Sequence, residues 1–220
     1  MKQGAINANG RFDAVIFDCD GVMFDSKYAN RAYYNAILRH FGKPDMNDEQ
    51  FALGHMLTAQ DTVRMLFPDP EELAAANEYR KRMTYFSFIK DMVMEPGLRE
   101  VLAGLRRSMK TGVCTNRTDT MNRVLSDHAL SDCFDVVVTA RDVANPKPHP
   151  ESLIKAARDL GVEVARAVYI GDSEVDAQAA RAADMPFVAY QAPHLDADRY
   201  VAAHDEIPPL LDRWGDGNPV

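Results

Sequence analysis

Short apolar runs rich in β-branched residues recur along the chain, and each run ends in a polar cluster. Their length and composition are typical of buried parallel strands, at residues 14–17, 111–114, 135–139 and 167–170. Segments with the length and pattern of helices accompany them, at residues 97–109, 119–130, 151–160 and 173–183. This alternation of strands and helices predicts a layered α/β fold.

Almost a hundred residues separate the first predicted strand from the second, far more than one crossover connection requires. Most of this interval has helical patterns. Apolar residues at 33–41 follow helical spacing, Asn47 and Gln50 have the spacing of a capping box, and residues 71–88 predict a further helix. The excess length is therefore predicted to be an inserted helical cap.

The segment Met94-Glu95-Pro96-Gly97 suits the return from this insertion. Proline disfavours helix in the residue before it, and glycine allows unusual backbone angles. We therefore predict an α/β core domain made of residues 1–22 and 95–220, with a helical cap domain at residues 23–94. The first ten residues and the final segment 214–220 are rich in turn formers, and we expect both ends to be frayed.

Acidic residues follow two of the predicted strands. Asp18 and Asp20 come directly after the first strand, and their two-residue spacing lets both side chains project to the same side. Asp172 follows the strand at 167–170, so it reaches the same edge of the sheet, where open α/β folds bind ligands. Carboxylates gathered there repel one another unless a cation or a proton intervenes, and their oxygens suit Mg²⁺. The pattern predicts a magnesium site.

Groups that can bind phosphate occur beside these acids. Gly21 permits a tight turn in which backbone N–H groups approach an anion, and Thr115 and Asn116 can donate further hydrogen bonds. Lys147 lies between two prolines in NPKPHPE, and its ammonium could neutralise both a nucleophilic carboxylate and a phosphoryl group. Together these residues predict a phosphate cradle.

With these segments in this order, the chain resembles the haloacid dehalogenase superfamily, and within it the group of phosphoglycolate phosphatases and β-phosphoglucomutases with a small helical cap. The segments that carry the resemblance are residues 18–26, Thr115, Lys147 and residues 171–176. They span most of the chain. The resemblance implies a Rossmann-like parallel-sheet core with an inserted α-helical cap.

The resemblance also implies a Mg²⁺-dependent phosphatase that acts through an aspartyl-phosphate intermediate. Asp18 is then the nucleophile, and Asp20 protonates the leaving group and afterwards activates water. Asp18, Asp172 and the backbone carbonyl of Asp20 are the implied metal ligands, while Asp176 supports the metal waters or Lys147. The implied substrate is a small phosphorylated metabolite, either phosphoglycolate or a sugar phosphate.

Several neighbouring residues have two possible roles. Arg117 occupies a position where related phosphatases often carry a basic residue, so it is a candidate phosphate ligand as well as a candidate surface residue. We expect Asp25 and Ser26 to cap the first helix or satisfy the turn after Gly21. Two residues of the predicted cap, His55 and Arg64, are expected to have surface roles.

Other activities of related enzymes are alternatives to the phosphatase. A phosphosugar mutase resembling β-phosphoglucomutase is the main alternative, although such mutases often carry a histidine near the position that Asn30 occupies here. Related dehalogenases and phosphonate-cleaving enzymes lack an acid at the position of Asp20, which argues against both. A non-catalytic binding protein would be expected to have lost one or more of the charged motif residues.

The overall charge and composition limit the possible partners. The chain has 25 Lys and Arg against 33 Asp and Glu, a formal net charge of −8, which argues against a broad nucleic-acid surface. No segment approaches the roughly 18 apolar residues of a membrane span. Three cysteines without CxxC spacing indicate neither a disulfide framework nor a zinc site. We expect a cytoplasmic protein with no nucleic-acid or membrane partner, and no protein partner can be named.

Overall fold

The computed structural model describes residues 12–83 and 85–214 of the chain. Its strands, in chain order, are β1 (Ala14–Phe17), β2 (Phe24–Asp25), β3 (Val93–Met94), β4 (Lys110–Cys114), β5 (Val136–Val138), β6 (Ala167–Gly171), β7 (Phe187–Tyr190) and β8 (Arg199–Val201). Its helices are α1 (Lys27–His40), α2 (Asp48–Met56), α3 (Ala59–Leu66), α4 (Pro70–Arg82), α5 (Phe86–Ile89), α6 (Leu98–Leu105), α7 (Met121–Asp127), α8 (Glu151–Leu160), α9 (Glu174–Ala183) and α10 (Ile207–Asp212). None of these helices combines the length and apolarity that a membrane crossing requires.

A parallel sheet of six strands forms the centre of the molecule, in the order β5-β4-β1-β6-β7-β8. In this register Phe17 at the end of β1 pairs with Val113 of β4 and with Ile170 of β6. The carboxyl ends of the three central strands therefore lie side by side. The four strands predicted from apolar runs are present as β1, β4, β5 and β6, and the predicted α/β class is confirmed.

Successive side chains of a strand point to opposite faces of the sheet, so the apolar strands make both faces apolar. Helices cover both of them. Val15 and Phe17 of β1 point into an apolar cluster that α6, α7 and α10 complete. Ala14 and Ile16 point into a second cluster on the opposite face, which α8 and α9 complete. The sheet is thus buried on both sides, and its strand ends are left to bind a ligand.

Helices α1 to α5 lie between β2 and β3, which form a short antiparallel pair. We call residues 27–89 the cap segment. It packs around its own apolar cluster, which includes Tyr33, Ile37 and Phe67. We keep the domain boundaries at residues 23 and 94 as a proposal, with the β2–β3 pair at the base of the cap segment.

Two details of the cap segment bear on the sequence predictions. The capping box of Asn47 and Gln50 is confirmed at the start of α2, where each side chain accepts from the other residue's backbone N–H at 2.8 and 3.1 Å. The single helix predicted over residues 71–88 corresponds to two helices in the structure: α4 ends at Arg82, and α5 begins at Phe86.

The two ends of the described chain meet on the sheet. Trp214 is buried and contacts Phe12 edge to face, with ring centroids 5.0 Å apart. The prediction of a frayed segment from residue 214 onward is therefore wrong at Trp214, because its indole fills a place in the core. The predicted fraying of residues 1–10 and 215–220 lies outside the described residues.

Candidate active site

Three carboxylates meet where β1 and β6 end. Asp18 follows β1, and its backbone N–H donates to Ile170 of β6 at 2.9 Å. Asp172 follows β6, and Asp176 lies in the first turn of α9. One oxygen from each of these three carboxylates lies within 4.8 Å of the others. The neighbouring registers of the two strands thus bring together acids that are about 150 positions apart in the chain.

Gly21 is what allows this close approach. Its backbone has a φ of +81°, a conformation that L side chains rarely adopt. A Cβ atom at this position would lie 1.9 Å from an oxygen of Asp172. The turn predicted at Gly21 therefore lies directly against Asp172, the candidate metal ligand. A side chain at position 21 would displace the Asp172 carboxylate.

Lys147 joins the nucleophile candidate to the acid on α9. Its buried ammonium donates to Asp18 Oδ1 at 2.9 Å and to Asp176 Oδ1 at 2.6 Å. The third bond goes to the hydroxyl of Tyr169 at 2.7 Å. Burial would lower the pKa of Lys147, but the charges of Asp176 and Asp18 hold it above its usual value. The ammonium is therefore fixed in position and charged.

Tyr169 has a role that the sequence analysis missed. Its hydroxyl donates to Asp176 Oδ1 at 2.8 Å, with the carbonyl of Cys114 at 3.1 Å as a second acceptor. In the sequence this tyrosine is one apolar position in a buried strand. Only its hydroxyl, in an otherwise aliphatic run, could have indicated a polar partner.

The three carboxylates fit a divalent cation. Burial raises the pKa of Asp18, and the charges of Asp176 and Asp20 add to this rise while Lys147 opposes it. Burial and the charge of Asp176 likewise raise the pKa of Asp172. The ionised forms of both carboxyl groups are thus disfavoured, and a divalent cation would stabilise them. The hard oxygens of carboxylates suit such an ion. The arrangement can hold a divalent metal ion.

Asp176 is already saturated with hydrogen bonds. Besides Lys147 and Tyr169 on one oxygen, its second oxygen accepts from the backbone N–H groups of Asp172 and Ser173 at 3.3 and 3.1 Å. It also accepts from the Ser173 hydroxyl, and Ser173 and Asp176 form a capping box at the start of α9 through their backbone N–H groups. These contacts suit a residue that positions Lys147 and the loop carrying Asp172.

Arg117 lies on Asp20. Its guanidinium donates to both carboxylate oxygens of Asp20, at 2.7 and 2.6 Å, and both side chains are largely buried. Burial alone would raise the pKa of Asp20, but the ion pair with Arg117 lowers it to about 2. Arg117 also donates to Thr120 Oγ1 at 3.2 Å and lies over the ring of Tyr85. The structure thus places this predicted phosphate ligand against the acid/base candidate.

Ser26 and Asn30 complete the contacts of Asp20. The Ser26 hydroxyl donates to Asp20 Oδ1, and it makes no capping bond to α1. The Asn30 amide lies 3.4 Å from the same oxygen. Asp25 instead accepts from the Lys27 backbone N–H at 3.1 Å, the capping role that was expected of it. Ser26 therefore does not cap α1, one of its two expected roles, and its hydroxyl instead holds the Asp20 carboxylate beside Gly21.

Thr115 and Asn116 lie at the end of β4, as predicted. Thr115 is buried, and its hydroxyl accepts from the backbone N–H of Arg117 at 3.1 Å. The Asn116 amide donates to the carbonyls of Lys147 at 3.0 Å and Met56 at 3.3 Å. These bonds place the loop after β4 between the lysine and the cap segment.

A cavity of about 810 Å³ opens above these groups, between the strand ends and the cap segment. His55 and Tyr85 of the cap segment line it. The His55 ring lies 3.2 Å from the Asn30 amide and is largely buried, so the predicted surface role of His55 is wrong. Arg64 is exposed and paired with Asp61, as its predicted surface role requires. The cavity gives a substrate access to Asp18.

The match to a protein family decides what kind of site this is. The family model described as haloacid dehalogenase-like hydrolase matches residues 15–190 of the chain. The chain belongs to this family. The matched range contains the carboxylates and the lysine described above, together with the whole cap segment.

Curated relatives of this haloacid dehalogenase-like hydrolase are phosphatases. A phosphoglycolate phosphatase of Rhodobacter capsulatus is 31% identical, over 91% of this chain and 97% of its own length. The fructose-1-phosphate phosphatase YqaB of Escherichia coli (strain K12) is 29% identical, over 81% of this chain and 96% of its own. The prediction of a phosphoric monoester hydrolase is confirmed at the level of enzyme class.

Solved structures of the family share the fold. A HAD-superfamily hydrolase of subfamily IA from Geobacter sulfurreducens PCA superposes with a TM-score of 0.75 at 41% identity, covering 93% of this chain and 98% of its own. A β-phosphoglucomutase from Clostridium difficile reaches a TM-score of 0.83 over the same shares, at 21% identity. The second likeness shows the fold alone, and both confirm the predicted parallel-sheet architecture of this family.

Proposed function

We propose that this protein hydrolyses the phosphate ester of a small metabolite through an aspartyl-phosphate intermediate on Asp18. The observation that carries the proposal is the buried Asp18 carboxylate at the floor of the cavity, 2.9 Å from the Lys147 ammonium. A carboxylate nucleophile divides phosphoryl transfer into formation and hydrolysis of an acyl phosphate. Lys147 holds the attacking carboxylate and offsets its charge as an anionic ester approaches.

Asp20 is proposed as the acid/base group. In the first step Asp20, protonated once the substrate has displaced the Arg117 ion pair that keeps its pKa low, gives this proton to the ester oxygen as the phosphorus–oxygen bond breaks, and the phosphoryl group moves to Asp18. In the second step it takes a proton from the water that attacks this phosphoryl group, and phosphate and free Asp18 result. Its contacts with Arg117 and Ser26 place the carboxylate at the cavity wall, where a leaving group can reach it.

We propose Mg²⁺ as the cofactor, held by Asp18, Asp172 and the backbone carbonyl of Asp20. When bound, it supplies positive charge that stabilises the equatorial phosphoryl oxygens. The crowding of Asp18, Asp172 and Asp176 supports this assignment, because burial and mutual repulsion raise the pKa of Asp18 and Asp172 in spite of Lys147, and a metal cation would keep both ionised. Asp176 supports the site by positioning Lys147 and the Asp172 loop.

The phosphate-binding residues are proposed to be Gly21, Thr115, Asn116 and Lys147, which lie around Asp18. Arg117 was proposed for this group as well, and its contacts with Asp20 favour an indirect contribution. The curated relatives support phosphoglycolate or a sugar phosphate such as fructose-1-phosphate as the substrate. Both are small esters that the cavity can accommodate.

The test is phosphate release from a panel of phosphoglycolate, sugar phosphates and nucleoside monophosphates, with Mg²⁺ or with a chelator. Asp18→Asn removes the nucleophile and should abolish release, whereas Asp212→Asn, at an exposed position on α10, should leave it unchanged. Chelator should also abolish release, and Mg²⁺ should restore it. Release that survives Asp18→Asn would refute the proposal, and isomerisation of β-glucose-1-phosphate with little release would identify a mutase instead.

A further inference from the structure

The charged residues around the cavity are segregated. The described part of the cap segment contributes three cations to the cavity lining, Lys27, Arg80 and Lys81, and no Asp or Glu. Eight acidic residues lie between positions 27 and 89, and none of them lines the cavity. All the carboxylates of the lining come from the α/β core. We call the side of the cavity that carries Lys27, Arg80 and Lys81 the cap wall. Its charge is positive, whereas the whole chain has a net charge of −8.

The cations of the lining differ in what they contact. Lys81 is paired with Glu78, and Arg141 of the core is paired with Asp119 at 3.1 Å. Arg80 and Lys27 have no carboxylate within ion-pair distance among residues 12–83 and 85–214. Within the described part of the chain, these two positive charges at the cavity therefore have no carboxylate partner.

Arg80 is the better placed of these two cations. Lys27 is exposed, whereas Arg80 is partly buried on the last turn of α4. Arg80 lines the same cavity as Tyr33 and Tyr34 of α1. A guanidinium that is partly withdrawn from water gains from an anionic partner.

The phosphoryl end of the cavity does not require Arg80. Lys147 supplies positive charge there, and the core carboxylates could hold a divalent cation that would add to it. A cavity of about 810 Å³ is also larger than a phosphoryl group needs, so room remains between the floor and the cap wall. That room belongs to the alcohol part of the ester.

We propose that the cap wall selects phosphate esters whose alcohol carries a second anionic group, a carboxylate or another phosphate, and that Arg80 is its principal ligand. The inference rests on the proposed phosphatase function and specifies its substrate. Electrostatic complementarity favours the matching charge and rejects neutral leaving groups that leave the guanidinium unpaired. Because the pair lies partly in solvent, its contribution falls as salt increases.

The test compares pairs of esters that differ in one charge: phosphoglycolate with hydroxyethyl phosphate, and phosphoglycerate with glycerol phosphate. We expect wild-type kcat/KM to favour the charged member of at least one pair by roughly tenfold or more. Arg80→Met should remove most of that preference by raising KM for the charged ester, with less than about threefold change for the neutral ester. Added salt should raise KM for the charged ester in wild type and have little effect in Arg80→Met.

Arg82→Met is the matched control, because Arg82 lies on the same last turn of α4, is exposed and does not line the cavity. It should leave the preference unchanged. Equal loss for both esters in Arg80→Met, a similar loss in Arg82→Met, or a wild type without preference for charge would each overturn the inference. Failure of the phosphatase proposal is distinct, since wild type would then release no phosphate from either ester.

Discussion

Arg117 donates two hydrogen bonds to Asp20, one to each carboxylate oxygen, across 97 positions of sequence. The pair links the loop after β4 to the turn after β1, directly below the cap segment. The ring of Tyr85 lies 5.0 Å from the guanidinium, and the Tyr85 hydroxyl in turn donates to Asn30. The acid/base candidate is thus held by a network that reaches from the sheet into the cap segment.

Loss of Arg117 should be costly, because Asp20 would remain buried without its partner. We expect Arg117→Met to lower the free energy of unfolding by about 3–5 kcal/mol in urea denaturation. Arg117→Lys should retain part of that stability but lose kcat, since one ammonium cannot reproduce the two-point contact. Arg166→Met is the control: its ion pair with Asp13 is more exposed, and we expect a much smaller loss of stability. Similar losses in Arg117→Met and Arg166→Met would contradict this account.

Tyr169→Phe tests the positioning of Lys147. Without the hydroxyl, the ammonium loses one of its three acceptors, and Asp176 loses a donor. We expect kcat to fall roughly 10- to 100-fold with little change in KM, because the lysine is misplaced while the binding surface is intact. Tyr190→Phe is the matched control, since this hydroxyl is also buried but contacts Glu95 and His204 instead. An unchanged kcat in Tyr169→Phe would show that its contact with Lys147 is dispensable.

Gly21→Ala should disturb the metal site. The new methyl group would collide with Asp172, so we expect Mg²⁺ affinity, measured by calorimetric titration, to fall on the order of 10- to 100-fold. Gly161→Ala, after α8, carries the same backbone strain at a φ of +68°, and its Cβ would meet only the Lys110 ammonium at 3.6 Å. Both variants should lose about 1–2 kcal/mol of stability. Unchanged Mg²⁺ binding in Gly21→Ala would exclude Asp172 as a ligand.

His204 should make stability depend on pH. It is buried beside Tyr190, and burial lowers the pKa of its imidazole from 6.5 to about 4. Between these values the unfolded chain binds a proton that the folded chain does not, so stability falls as pH drops from about 6.5 towards 4. The loss from this group is on the order of 3 kcal/mol. His204→Gln should flatten the dependence of unfolding free energy on pH, and His194→Gln, at an exposed position, should not. Parallel curves for wild type and His204→Gln would refute this origin.

The sequence was sufficient to predict the elements whose signals are local. Asp18, Asp20 and Asp172 follow apolar runs that form adjacent strands, so their meeting at one edge could be expected. The capping box at Asn47 could be expected as well, because it depends on four successive residues. These features need only strand ends, helix starts and the general geometry of a parallel sheet.

Other features depend on contacts that no local pattern contains. The Tyr169 hydroxyl acquires its role only when β6 is placed beside the Lys147 loop. The contact between Arg117 and Asp20 requires both loops to be in position, so the sequence could suggest a basic residue but not its partner. Strands β7 and β8 were not predicted: they are four and three residues long, and pairing with β6 and with each other stabilises them.

The central claim is that Asp18 carries the phosphoryl group, and rapid-quench mass spectrometry tests it most directly. Asp20→Asn should slow the attack of water, and with acetyl phosphate, whose leaving group needs no proton, the first step does not depend on Asp20, so the acyl phosphate is expected to accumulate during turnover with Mg²⁺. We predict one added phosphoryl group on the peptide that contains Asp18, and none in the Asp18→Asn variant. Steady phosphate release by wild type without any phosphorylated Asp18, or a phosphoryl group on another residue, would contradict the account.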